Sequence, residues 1–512
     1  MKHNRYYLSV LLCFAALMYG MFHFSQFGTS DEVRYAIGLK SPSGETENFF
    51  NYEISFGYYL FMRPAAAFIP DERLPLLMNV ISSLMGVLLL VPLFLLVQNL
   101  SSPRVAFFTG LFFLCVPSFW YFSRCGHPGM MALFFFIAAL FLFDRSLLFN
   151  KQSPILLGVS ILFAFASLLV RADYLLWFLA PLGLALYRKG RNKKALTAYF
   201  WFALIVVLAY TAARWGMLGY LFQPGGGTVV SHVQKRIISL PVMARSFLKN
   251  AGLFVFGVLP VVAAAFLLSF IHMVRNKKWR LLRVVLLWVA PVLVFLPFQG
   301  MAFARLSVPV LPPLLMMTMS WIDRGVKGFY RYIVPAALLF LAHLFPLLTQ
   351  PLLQGKIPAQ VFYRGKPVLS MPVGSMFCDF YHKREYSKSA HDKARKVIQE
   401  RTRDVVILSD SVHRSWYRFE LLVSRRADCL SIERTETRSS LINCDTPENH
   451  FGIFLIETRS DCREFVRLME DQSFADKLFH VAPFMLDDPQ PEVFYEREQF
   501  LPYLKANLSY CR

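Results

Sequence analysis

The sequence predicts an α-helical polytopic membrane protein of about eleven transmembrane helices, followed by a small C-terminal α/β domain outside the membrane. Three observations carry that expectation. First, 56% of the 512 residues are apolar, 17% are charged and the mean hydropathy is +0.44. Soluble chains are about one quarter charged, so part of this chain needs lipid as its solvent. Second, apolar runs long enough to cross a bilayer recur along residues 1–349. Third, when the runs are counted off alternately, the densest basic loops all fall on one side.

The elements follow in chain order. The start, "MKHNRYYLSVLLCFAALMYGMFHF", pairs a basic tip with an apolar stretch longer than the ~7–15 residues of a signal peptide, and no A-x-A-like site follows. It reads as a retained helix. About 20 mostly apolar residues cross a bilayer. That template fits at 6–24, 75–98, 104–122, 128–148, 153–170, 174–187, 195–214, 251–274, 284–299, 304–322 and 332–349. The loops "YRKGRNKK" (187–194), "RNKKWRLLR" (275–283) and "DRGVKGFYR" (323–331) then share a side with Lys2 and Arg5. The positive-inside rule makes that side cytoplasmic, so the N-terminus is inside and residues 350–512 are extracytoplasmic.

Three outer segments are long or polar. The first outer loop, 25–73, carries seven acidic residues against four basic ones. The second, 215–250, holds "QPGGGTVVSHVQKR", a glycine-rich turn with no GK[ST] after it, which reads as a flexible loop over a site. The third is the C-terminal region. There "DVVILSD" and "HFGIFLIE" read as strands among helix-like stretches, which gives the α/β class. It contains no GxGxxG, GxSxG or HExxH.

Several function classes drop out. A formal charge of +21 is compatible with nucleic-acid binding, but the positive excess lies in short loops between apolar runs, where topology explains it. Of the eight cysteines, Cys13, Cys115 and Cys125 lie in or beside membrane runs. Cys378, Cys429, Cys444, Cys462 and Cys511 lie in the polar last third, without CxxC or Cys/His spacing for zinc; disulfides are compatible with an oxidising compartment. No metal or organic cofactor is expected from the motifs, although nothing in them excludes a divalent cation.

The stretch "FGTSDEVRYAIGLK" (27–40) places Asp31 and Glu32 where the first helix leaves the membrane. "Thr29-Ser30-Asp31-Glu32" matches a capping box, in which a Thr side chain bonds the third amide and Glu reaches back. Acidic groups in a first turn also suit the helix dipole. A helix start therefore accounts for Glu32 and leaves Asp31 over. On local grounds, a structural and a chemical role for the pair both remain open.

The layout resembles the GT-C superfamily of polytopic glycosyltransferases, the group that includes protein mannosyltransferases and aminoarabinose transferases. The resemblance covers about residues 1–350. "SDEVRYAIGLK" is similar to that group's acidic first-loop motif. "LVRADYLLWFLAPL" (169–182) and "FARLSVPVLPPLL" (303–315) are similar to its Arg-led helix starts. It implies a sugar donor on a polyprenyl phosphate, an acceptor (lipid, glycan or protein) glycosylated on the outer face, and inversion at the transferred carbon.

In such chemistry an alcohol needs a positioned carboxylate to take its proton, and Asp31 stands where that base is needed, with Glu32 capping or holding acceptor. Glu53 and Tyr35 are further candidates for binding acceptor or sugar, against a plain loop reading for Glu53. The departing phosphate needs cations, for which the forked guanidinium is suited. The resemblance puts Arg305 first in that role, and Arg124, Arg171, His127, Lys235 and Arg236 are the other candidates. Arg214 ends the seventh run on the same side. Snorkelling to headgroups competes for each arginine, and pairing with Asp173 competes for Arg171. The chain departs from the mannosyltransferases in lacking a large insert between its later runs, and from oligosaccharyltransferases in lacking a readable divalent-metal motif. A transporter or flippase for a lipid-linked saccharide and a non-catalytic envelope scaffold are the alternatives.

Overall fold

Proline and alternating charge set the helix boundaries. The computed structural model describes residues 2–21, 55–70, 73–148, 153–189, 194–215, 260–295 and 308–353, scattered positions within 32–39 and 247–255, and short strands after residue 359. The chain divides into two compact units. One comprises Met1–His23, Tyr52–Met62 and Met78–Lys383, and the other Phe24–Asn51, Arg63–Leu77 and Arg384–Arg512.

In chain order the helices are α1 Lys2–Met21, α2 Phe56–Ala67, α3 Leu74–Leu100, α4 Pro103–Cys115, α5 Pro117–Arg124, α6 Pro128–Leu148 and α7 Ser153–Val170. A 3₁₀ turn, Ala172–Phe178, leads into α8 Leu179–Arg188, and α9 Ala195–Ala213 follows. Then come α10 Pro260–Arg275, α11 Trp279–Phe295, a short 3₁₀ turn Val308–Val310, α12 Leu311–Gly325 and α13 Tyr330–Leu353. A helix therefore stands at each apolar run read from the sequence, with shifted ends. Among the described residues, α3, α6 and α9 are long and apolar enough to cross a membrane, and α4 with α5 make a fourth if the bent pair counts as one span.

That bent pair is the clearest departure from the expected helix at 104–122. Val116 is extended (φ −70°, ψ 127°) and Pro117 opens α5, so the two pieces meet at 67°. Proline lacks the N–H that the ladder needs and pushes the residue before it out of the helical region. The start of α4 follows the same logic: Pro103 stands in the first turn, and the Ser102 hydroxyl accepts the Val105 N–H at 3.2 Å.

The helix ends alternate between two faces of the bundle. At one face the Arg188 guanidinium donates to both Asp144 oxygens at 2.8 and 2.9 Å, and Asn99 Nδ2 donates to Asp144 Oδ2 at 3.2 Å. The ends of α3, α6 and α8 are thereby tied together in a buried cluster. On the same face Arg104 bonds Asp323 at 2.9 Å, and the Tyr7 and Tyr332 hydroxyls lie 3.1 Å apart. The start of α1 therefore lies on the same face as the C-terminal ends of α8 and α12. The opposite ends, at residues 124–129 and 171–174, are joined by contacts of their own.

The strands are described by backbone pairing. β1 Gln360–Tyr363 and β2 Lys366–Ser370 form an antiparallel pair. In the second unit β3 Val405–Leu408, β4 His450–Ile456 and β5 Leu478–Met485 run parallel in that order, and β6 Tyr495–Glu496 pairs antiparallel to β5. β3 and β4 fall on the segments "DVVILSD" and "HFGIFLIE"; β5 was not anticipated.

Candidate functional site

The site grows from the turn between α5 and α6. The His127 amide donates to the Cys125 carbonyl at 2.6 Å, and Pro128 then opens α6. Gly126 lies so close to α3 that a Cβ there would stand 2.5 Å from Met78 Cβ. Two tyrosines from other elements hold the turn. Tyr58 of α2 donates to the Gly126 carbonyl at 3.1 Å, and Tyr174 of the 3₁₀ turn donates to the Gly129 carbonyl at 3.3 Å. His127 Nδ1 accepts the Gly129 N–H at 3.0 Å. An amide can only donate, so the neutral ring carries its proton on Nε2.

Arg171 comes to the same place from α7. It is extended (φ −152°, ψ 112°) where α7 gives way to the 3₁₀ turn. Its Nε donates to Asp173 Oδ1 at 2.8 Å and its Nη2 to Oδ2 at 2.5 Å, a two-pronged pair. Nη1 stands 3.5 Å from His127 Nδ1. These groups, with Tyr174, Trp177 and Val308, line a small cavity. A second, small apolar cavity lies among α6, α7, α8 and α9, lined by Phe136, Leu140, Ala164 and Phe202. Tyr174 lines both.

The helix α2 is placed by close approach. A Cβ on Gly57 would stand 2.6 Å from the Leu169 carbonyl carbon and 2.7 Å from the Val170 nitrogen, so α2 meets the end of α7 backbone to backbone. Arg214, at the end of α9, lies over the Phe56 ring at 4.9 Å.

The structure places Arg171 beside His127, two candidates that the sequence offered separately, and pairs Arg171 with Asp173, the structural alternative read for it. Arg124 is buried and turns back on its own helix: its guanidinium lies 4.5 Å over the Trp120 ring, and Nε donates to the Trp120 carbonyl at 3.3 Å. Glu32 and Tyr35 belong to the other unit, where Glu32, Tyr35, Ala36 and Leu39 are buried at the spacing of one helix face. Asp31, Glu53, Lys235, Arg236 and Arg305 lie outside the described residues, as do the cysteines of the last third. Cys13 is exposed, and Cys115 and Cys125 are buried. Among the described residues, no group of three or more His, Cys, Asp or Glu is placed to hold a metal.

Sequence reasoning missed Tyr58, Tyr174 and Trp177, and on the other face the Asp144–Arg188 pair. Asp144 left a signal, since a carboxylate inside an expected span demands a partner.

No family model matches the sequence, and no curated protein matches it. Solved structures do. The chain superimposes on ArnT from Cupriavidus metallidurans bound to undecaprenyl phosphate with a TM-score of 0.51 at 12% identity, covering 81% of this chain and 84% of that one. The oligosaccharyltransferase of Archaeoglobus fulgidus, complexed with Zn and sulfate, matches at 0.46 and 13% identity over 81% of this chain. The present chain spans 61% of the oligosaccharyltransferase's length. The likeness to ArnT shows a GT-C-like fold, and with the apolar helices it makes this chain an integral membrane protein.

Proposed function

We propose that this chain is a membrane glycosyltransferase that moves a hexosyl or pentosyl group from a polyprenyl-phosphate-linked donor to an acceptor hydroxyl on the extracytoplasmic face. The observation that carries the reading is a small cavity with His127, Arg171 and Asp173 on its polar edge, at the end of a GT-C-like bundle opposite the Asp144–Arg188 cluster. Such a fold in ArnT accompanies undecaprenyl phosphate. The orientation that goes with the reading puts the N-terminus and basic loops in the cytoplasm, eleven spans within 1–349, and 350–512 outside, where that region selects a lipid, glycan or protein acceptor.

In this mechanism the Asp31 carboxylate takes the acceptor hydroxyl proton as its oxygen attacks the anomeric carbon. The bond from that carbon to the phosphate oxygen breaks with its electron pair on phosphate, and a single displacement inverts the carbon. Arg305, Lys235 and Arg236 offset the charge that develops on the leaving group, and the buried Arg124, turned onto Trp120, is dropped from that role. Arg171 and His127 bring the donor's head group to the cavity. Glu32 holds the segment that carries Asp31, a role its full burial supports. Glu53 and Tyr35 serve the acceptor.

The test is Asp31→Asn in membranes supplied with polyprenyl-phosphate sugar. Transfer is lost while insertion and folding persist; full activity sinks the mechanism. Arg305→Ala weakens donor binding far more than Arg305→Lys, because Lys keeps the charge. Donor affinity untouched by either moves the phosphate role elsewhere. Comparison of envelope lipids and surface glycoconjugates with and without the protein identifies the product.

A further inference from the structure

We infer that the turn between α10 and α11, with the outward faces of both helices, binds an anionic glycerophospholipid whose phosphate is held by Arg280 and Arg283. The inference is independent of what the chain transfers and needs only that it sits in a bilayer.

The cations come first. Arg275, Lys277, Lys278, Arg280 and Arg283 fall within nine residues, and all five are exposed. Residues 174–322 contain no Asp or Glu. His272 packs near Trp321, ring centroids 6.0 Å apart, so the turn lies by the end of α12. At that end of the bundle the described carboxylates are Asp323 and Asp144. Asp323 is bonded to Arg104 at 2.9 Å, and Asp144 to Arg188. Among the described residues, no ion pair involves any of the five cations.

Two ordinary explanations fall short. Cations at a helix C-terminus suit its dipole, which accounts for Arg275 in the last turn of α10. Arg280 stands at the opposite pole, in the first turn of α11, where the dipole repels it. Arg283 is its like-charged neighbour three residues on. The positive-inside rule accounts for an excess of cations in the loop, but not for their place on the outward face of α11.

Packing sets that face. Leu281, Leu282, Val284 and Val285 are buried, and a Cβ on Gly183 of α8 would stand 3.1 Å from Val284. Trp279, Arg280, Arg283 and Leu286 are left exposed. Trp279, Arg283 and Leu286 follow at i, i+4 and i+7, so one stripe passes from an indole through a cation to an aliphatic chain. An indole suits the membrane–water boundary. On α10, exposed Leu267, Ile271 and Val274 make a like stripe that runs up to the same turn. From Leu267 to Arg275 the helix rises roughly 12 Å, within one leaflet's half of a hydrocarbon core about 30 Å thick. A phospholipid presents the same order, phosphate above and acyl chains below. An acidic protein segment would answer the cations and leave the apolar stripes uncovered.

The turn adds an independent observation. The Lys278 N–H donates to the Met273 carbonyl at 3.0 Å and the Lys277 N–H to the Val274 carbonyl at 3.1 Å, closing α10 in a Schellman motif. Lys277 holds its left-handed position (φ 52°), where glycine is the usual residue. Among the described residues, no other non-glycine has a positive φ. Glycine would serve the backbone better, so what lysine adds there is its charge.

The experiment places the full chain in phosphatidylcholine nanodiscs with spin-labelled phosphatidylglycerol or phosphatidylcholine. Electron spin resonance reads how much of each is immobilised at the protein surface. The wild type prefers phosphatidylglycerol. Arg280→Gln and Arg283→Gln each cut the preference about fivefold, the worth of one cation near a membrane. Lys277→Gly also cuts it, yet its unfolding temperature does not fall, since glycine accepts that φ. A merely structural lysine would not show that split. Lys327→Gln, at an exposed cation in the loop after α12, leaves the preference unchanged. Three results overturn the site: no preference in the wild type, full preference in the Arg280→Gln, Arg283→Gln double variant, or an equal loss in Lys327→Gln, which would mean diffuse attraction. Binding of a soluble polyglutamate peptide through the same arginines, without preference among lipids, overturns it in favour of an acidic protein partner.

Discussion

Gly57→Ala should damage the site through one methyl group. The added Cβ would lie 2.6 Å from the Leu169 carbonyl carbon, roughly 0.8 Å inside the 3.4 Å where ordinary contact begins. The nearest obstacles are backbone atoms, so no side chain can swing away and α2 itself must retreat. Tyr58 is the next residue, and its 3.1 Å bond to the Gly126 carbonyl has only a few tenths of an ångström to give before it is lost. Overpacking of this kind costs about 1–3 kcal/mol, and a buried carbonyl stripped of its partner adds about 1–3 more. The turn that carries His127 then loses one of its two tyrosine ties, and Val170, the residue before Arg171, is pushed from the other side. Misplacement near 1 Å costs up to about 100-fold in rate. The control is Gly158→Ala in α7, where an added Cβ meets nothing within 4 Å. Replacing that helix-interior glycine is neutral or stabilises by up to about 1 kcal/mol. Thermal unfolding of both variants in nanodiscs and initial rates of sugar transfer read the two effects. Wild-type unfolding temperature and rate in Gly57→Ala would refute the coupling of α2 to the cavity.

Asp144→Ala or Arg188→Ala should each lose about 3–5 kcal/mol of stability in chemical denaturation, because each leaves a buried charge without its partner. The double variant Asp144→Leu with Arg188→Met recovers much of that loss; equal instability of single and double variants refutes the pairing argument. Arg171→Lys cannot keep the two-pronged bond to Asp173 and should lower transfer about 10-fold or more, with unfolding temperature little changed. Wild-type transfer in that variant would show that the fork does not position the cavity.

What the sequence made legible was one-dimensional. Run length and prolines each act over a few residues, so helix positions could be read before any packing was known. The break in the helix at 104–122 was legible in the same way, as Val116-Pro117, but an apolar run on both sides of the proline masked it. Strand β5 was hidden by a different feature: Pro483, which cannot donate to a ladder, sits inside it opposite Phe454.

The cavity was not legible, because its parts meet only in three dimensions. His127 and Arg171 are 44 residues apart, and Tyr58 is 68 residues from the carbonyl it holds. The "VRAD" string announced Arg171 and Asp173 at a helix start, yet the string alone could not say whether the arginine faced a ligand or its neighbour. The geometry answers that both prongs face Asp173, and a guanidinium so committed orients a site more readily than it neutralises an anion. On the proposed function, the demand for free positive charge then falls to other cations.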